Sequence, residues 1–184
     1  MFSEKQGFIS SRNTTGNFTL LIDTRIGGAY TITTSTQFTF GGVGSYTINW
    51  GDGNTQTLSG IQTHTYPNPG VYEVSVIGPI QQFRSANNTA VLDTDAGKIL
   101  DVVEWGNNGW STGAFMFTYC ENLQITAIDI PNFSTATSLA FMFYNCQKLS
   151  TANNIGSWNT GNVANLRLTF GYCHQFNSNI NSLI

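Results

Sequence analysis

The chain has 184 residues, 40% hydrophobic and 13% aromatic, which is enough apolar material for one sizeable core or two small ones. Only 9% of residues are charged, and a net charge of −3 with a pI near 5.1 offers no basic stripe to neutralise phosphates, which argues against a nucleic-acid partner. No window of 18 or more apolar residues exists, which argues against a membrane-spanning helix. Residues 1–16 lack the basic start and apolar middle of a secretory signal, so an exposed location implies a removed signal or another route of release, such as a virus particle freed by lysis.

Residues 1–16 are polar with isolated Phe2, Phe8 and Ile9 and read as an N-terminal arm able to dock on a neighbouring subunit. From Phe18 the apolar residues recur with period two: Phe18, Leu20 and Ile22, then Tyr30 and Ile32, then Phe38 and Phe40. These stretches predict strands, with turns at Gly27-Gly28 and at Gly41-Gly42 with Gly44. Tyr46-Thr47-Ile48-Asn49-Trp50 is the clearest strand; Gly51-Asp52-Gly53-Asn54 turns the chain, and a short strand over residues 55–58 pairs back. Pro67-Asn68-Pro69-Gly70 then leads into residues 71–77, where Val71, Val74 and Val76 are expected inward against Tyr72, Glu73 and Ser75. Short strands at roughly ten-residue spacing argue for a β-sandwich.

Trp50-Gly51-Asp52-Gly53, His64-Thr65-Tyr66 and Gly70-Val71-Tyr72-Glu73-Val74 together resemble the signature of the PKD domain, an immunoglobulin-like sandwich, over residues 17–78. The resemblance implies a non-catalytic spacer or adhesive module, with Trp50, Asp52, His64, Tyr66 and Tyr72 in structural roles.

Gly78-Pro79 marks a boundary, and residues 79–110 read as a linker and cap with strands at 80–83 and 99–105 and turns at Asn87-Asn88 and residues 93–97. Beyond it the chain repeats itself. Phe115-Met116-Phe117-Thr118-Tyr119-Cys120 returns as Phe141-Met142-Phe143-Tyr144-Asn145-Cys146 and as Leu168-Thr169-Phe170-Gly171-Tyr172-Cys173, at intervals of 26 and 27 residues. Leu123, Leu149 and Phe176 follow the three cysteines in phase. Such periodicity predicts a solenoid whose units bury their apolar faces only against one another. Within a unit, Leu139, Met142 and Phe143 suit one side of a short helix, and residues 123–125 and 128–130 suit extended pieces. The stack reaches residue 184 either truncated or closed by a partner.

Met-Phe-x-x-Cys with an apolar residue three positions on, the run Trp158-Asn159-Thr160-Gly161-Asn162-Val163, and Val103-Glu104-Trp105-Gly106-Asn107 resemble the BspA-like leucine-rich repeat over about residues 99–184. That resemblance implies a surface-exposed binding or adhesion protein, bacterial or carried on phage particles.

The cysteines Cys120, Cys146 and Cys173 are expected as a stacked, reduced ladder; three thiols along a stack do not converge on a metal, and His174 points away from Cys173. His64 is expected to be structural, and Asp52 to accept N–H bonds in its own turn rather than bind calcium. Asp93, Asp95, Asp101 and Glu104 lack a calcium-loop spacing. No phosphate loop, paired carboxylates or nucleophile-base pair stands out, so neither catalytic residues nor cofactor are assigned. Exposed aromatics are the functional lead: Tyr119, Tyr144, Tyr172 and Trp110 are expected on the binding surface, with Trp105 and Trp158 as core fillers.

The expected protein is therefore mainly β: an N-terminal Ig/PKD-like β-sandwich (17–78) after the arm (1–16), a linker and cap (79–110), and a short BspA-type leucine-rich-repeat solenoid with short helical turns (111–184). Expected function is non-enzymatic binding or adhesion to host glycan or protein, on a virion as a capsid decoration or fibre-type protein docked through the arm or sandwich. The alternatives are a structural cement protein of a particle or surface layer, a bacterial cell-surface or secreted adhesin fragment, or a remnant of a hydrolase; homo-oligomerisation stays open.

Overall fold

The computed structural model describes residues 14–86 and 94–183. The described chain is mainly β, with seven strands: β1 Phe18–Asp23, β2 Gln37–Asn49, β3 Thr55–Thr65, β4 Val71–Ile77, β5 Gln82–Phe83, β6 Ile99–Glu104 and β7 Gln124–Ile125. They lie in one hydrogen-bonded path, β3-β2-β4-β1-β6-β7, with β5 added on β2. The period-two pattern sets the centre of this sheet: Phe18, Leu20 and Ile22 of β1 are fully buried, and β1 is flanked by β4 and β6, both antiparallel.

The sheet crosses the boundary expected at residue 78. β6 pairs with β1 on one side and in parallel with β7 on the other, through Asp101↔Gln124 and Val102↔Ile125. One apolar cluster runs from Phe18 to Leu183. Residues 1–13 of the expected arm and the predicted turn at Asn87-Asn88, with Asp93, lie outside the described residues. The inner end of the arm is tied down, because Thr15 Oγ1 and Gly16 N donate to the Glu104 carboxylate at 2.9 and 2.6 Å.

Several local expectations are corrected. Tyr30 and Ile32 lie in a loop, not a strand, and the Gly41–Gly44 stretch is not a turn but the middle of β2. Glycine is needed there for close approach: a Cβ on Gly41 would sit 1.8 Å from the Arg84 carbonyl oxygen, and one on Gly42 would sit 2.2 Å from the Tyr46 ring. β3 runs on to Thr65, well past residue 58. In β4 Tyr72 shares the inner face with Val74 and Val76, while Val71 is 46% exposed, because strand faces alternate strictly and Val71 is out of phase with the other two. Residues 128–130 form no strand, and Ile128 is 68% exposed.

A buried ion pair absent from any sequence expectation shapes the loop between β1 and β2. A 3₁₀ turn, Ala96–Lys98, places Asp95 and Lys98 in the interior, both 0% exposed and 3.8 Å apart. Asp95 accepts from Ile32 N, Thr33 N, Thr33 Oγ1 and Thr39 N at 2.6–3.1 Å. Lys98 Nζ donates to Thr33 Oγ1, Thr34 O and Gln37 O, each at 2.7 Å. Burial lowers the lysine pKa and Asp95 opposes it. A full set of partners is what lets both charges sit away from water. Because Gly97 N also donates to Tyr30 O at 2.7 Å, the clasp fixes where Tyr30 projects.

Candidate ligand-binding face

The repeats form three stacked rungs. Gly113, Phe115, Phe117 and Tyr119 donate backbone N–H bonds to the carbonyls of Ser138, Ala140, Met142 and Tyr144. Leu139, Phe141, Phe143 and Asn145 donate in turn to Asn165, Arg167, Thr169 and Gly171. The helix expected over residues 138–143 is therefore not formed. Alternate N–H groups are committed to the next rung, and a left-handed residue recurs at matching positions: Phe115, Phe141 and Leu168, then Tyr119, Asn145 and Tyr172, all with φ of 51–65°. Leu139, Met142 and Phe143 still share the interior, since successive i→i+3 turns also bring such residues together.

Inside the stack the side chains repeat in columns. Phe117, Phe143 and Phe170 stack at 5.7 and 5.4 Å with interplanar angles of 3° and 17°. The thiols of Cys146 and Cys173 donate to the carbonyls of Phe117 and Phe143, one rung below. All three cysteines are free, and burial pushes the Cys120 and Cys146 thiols well up, against the low pKa a nucleophilic thiolate needs. Trp105 and Trp158 are core residues, edge to face at 5.5 Å. Trp110, expected on the binding surface, is corrected to the core: it is 0% exposed and packs edge-on against Phe18 at 5.0 Å. Its Asn/Gly-rich surroundings gave no sign that β1 would lie against it.

The three tyrosines expected to face outward come together on one flank. Tyr119 and Tyr144 meet at 5.8 Å and Tyr144 and Tyr172 at 5.2 Å, each pair nearly perpendicular, and Tyr172 is 59% exposed. Tyr144 stands one repeat position earlier than the other two, and the third repeat answers with Gly171, where a Cβ would come 3.0 Å from the Tyr144 ring. Sequence reasoning missed Tyr30, which extends the row by stacking on Tyr119 at 4.8 Å and 9°. His174 adds a ring edge-on to Tyr172 at 6.4 Å, and Arg167 lies over Phe141 at 5.3 Å beside the row. Burial, then the neighbouring tyrosines, raise the Tyr119 and Tyr144 hydroxyls above the ordinary phenol range. The row presents rigid apolar faces rimmed by O–H groups.

The sheet residues singled out in the sequence converge elsewhere. His64 stacks on Trp50 at 4.7 Å and 7°, meets Tyr66 edge-on, and Tyr66 stacks on Tyr72 at 3.9 Å. Asp52 Oδ2 is 2.8 Å from His64 Nε2, and the Tyr66 hydroxyl donates to Trp50 O at 3.1 Å. Burial works to raise the Asp52 pKa, but hydrogen bonds from His64 and Asn54 outweigh it and hold the carboxyl below its usual value. Stability from that shift is complete above about pH 4, the ordinary aspartate range, and is lost as pH falls through the lower folded value. Asp52→Asn is expected to cost about 1 kcal/mol at neutral pH. Urea midpoints of variant and wild type should separate above that pH and converge below it.

Two further acids hold backbone. Asp101 accepts from Thr126 N and Oγ1, and Asp129 from Trp105 N and Gly106 N. Among the described residues no three His, Cys, Asp or Glu side chains cluster in a way that could hold a metal ion, and no helix is long and apolar enough to cross a membrane.

Residues 111–183 match the family described as "Mycoplasma protein of unknown function, DUF285". No curated protein and no solved structure matches the chain. The matched span takes in all three rungs and leaves the strands other than β7 outside.

Proposed function

We propose that this is a non-enzymatic binding protein that engages glycan or protein on a host or neighbouring surface through the tyrosine row. The observation that carries this reading is the continuous file of Tyr30, Tyr119, Tyr144 and Tyr172 on one flank of the rungs. Rings held rigidly by their neighbours lose little entropy on binding, and their hydroxyls supply polar contacts at the rim. The sheet is read as a PKD-like module, supported by the convergence of Trp50, Asp52, His64, Tyr66 and Tyr72, and the rungs as a leucine-rich-repeat-type solenoid, supported by their evenly repeated backbone bonding. The proposed setting is a virion surface, as a decoration or fibre-type protein, with a bacterial surface as the other site of the same activity.

Tyr144→Ala tests the reading, because Tyr144 touches both neighbours in the row. Binding on glycan arrays and adsorption to host cells are expected to weaken at least tenfold, with the melting temperature within a few degrees of wild type. Unchanged adsorption by a folded Tyr144→Ala protein would overturn it.

A further inference from the structure

The flank that carries the tyrosine row also carries a cation with its donors unspent. Arg167 is exposed, and its guanidinium reaches back over the second rung to lie 5.3 Å from the centre of the Phe141 ring, which itself meets Tyr144 edge-on at 5.6 Å. Phe115 stacks on Phe141 at 5.2 Å and 8°, so the ring beneath the cation is fixed. The backbone of Arg167 is fixed as well: its N–H donates to Asn165 Oδ1 at 3.0 Å and its carbonyl accepts from Phe141 N at 2.9 Å. Arg25 and Lys98 are paired with Asp23 and Asp95, and Lys148 Nζ donates to Asn122 Oδ1 at 2.6 Å. The Arg167 guanidinium has no hydrogen bond or ion pair among the described residues.

Resting on the reading of the tyrosine row as the binding face, we infer that its ligand is an acidic glycan, with sugar rings against the tyrosines and a carboxylate held by Arg167. Attraction to the Phe141 ring positions the guanidinium without consuming its N–H donors, and their fork matches a carboxylate through two parallel bonds. Sugars bring C–H faces and hydroxyls, which suit the ring faces and O–H groups of the tyrosines. An acidic peptide fits this flank less well. An extended peptide gains affinity from main-chain bonds, and the backbone under the row is already committed: Tyr119 N to Tyr144 O, Phe141 N to Arg167 O, Tyr144 N to Phe141 O, and Asn145 N to Gly171 O. The net charge of −3 works against an acidic polymer, so a preference for one has to come from a cation at the site.

The test places the full chain on an array of uronate- and sialate-bearing glycans, each printed beside its neutral, carboxyl-reduced counterpart, with polyglutamate as the peptide probe. The glycans bound are expected to be carboxylated, and carboxyl reduction is expected to weaken binding about tenfold. Arg167→Gln should weaken binding to the carboxylated member by the same factor, leave the neutral member unchanged and keep the melting temperature within a few degrees of wild type. Lys148→Gln removes an equal charge that is already bonded to Asn122, and should change neither. Tyr144→Ala should weaken both. Equal binding of acidic and neutral members, lost together in Tyr144→Ala, overturns the acidic ligand and leaves the tyrosine row standing as the binding face. Equal losses in Arg167→Gln and Lys148→Gln also overturn it, since they trace the preference to overall charge. Binding of polyglutamate without any glycan overturns the glycan in favour of a peptide, and binding of no probe at all overturns both the acidic ligand and the row.

Discussion

Asp95→Ala is expected to cost about 3–5 kcal/mol, enough to unfold much of the population of a domain of ordinary marginal stability. The substitution removes four accepted hydrogen bonds and leaves the Lys98 ammonium, fully buried, facing only carbonyls and a hydroxyl. Removing both charges is a different matter, because the desolvation cost of each disappears with it. Asp95→Ala combined with Lys98→Met is therefore expected to recover a substantial part of the loss, read as urea midpoints across the double-mutant cycle. A double variant no more stable than Asp95→Ala alone would show that the carboxylate acts only by its bonds to the loop between β1 and β2.

Phe143→Ala is expected to cost a similar amount, about 3–5 kcal/mol. Its ring is the middle member of the Phe117–Phe143–Phe170 column and also packs on Trp158, so its loss opens a cavity between two rungs at once. Neighbouring backbone is held by bonds on both sides of Phe143 and has little freedom to collapse into the space. Phe141→Ala, on the half-buried outer column, is the control and should cost distinctly less. Thermal unfolding of the two variants checks the order, and a larger loss at Phe141 would contradict the assignment of inner and outer columns.

The repeat was legible because it is written in local sequence: the 26- and 27-residue intervals between the cysteines translate into backbone bonds at equivalent atoms, and the Cys146 and Cys173 thiols make equivalent bonds to the Phe117 and Phe143 carbonyls. The strand pattern of Phe18, Leu20 and Ile22 was readable for the same reason, since it rests on a local period, whereas the meeting of Trp50, His64 and Tyr66 emerged only from the structure. What escaped was long-range or ambiguous in kind. Nothing near Asp95 or Lys98 announces partners more than 50 residues away. Apolar residues at 139, 142 and 143 suit a helix and a chain of turns equally, and only the left-handed φ at Phe141 and Asn145 separates them. Trp110 sits among residues typical of an exposed loop, yet β1 covers it. The fourth tyrosine of the row comes from a loop 89 residues before Tyr119, carried there by the clasp rather than by the repeat.

Residue-resolved amide hydrogen exchange on the free protein tests the central claim, that the chain after residue 110 is a stack of equivalent rungs carrying the tyrosine flank. The stacked arrangement predicts slow exchange at 113, 115, 117 and 119 and at 139, 141, 143 and 145, with fast exchange at 166, 168, 170 and 172. Uniform protection of consecutive amides, as in a helix, or equal protection in all three repeats would contradict it.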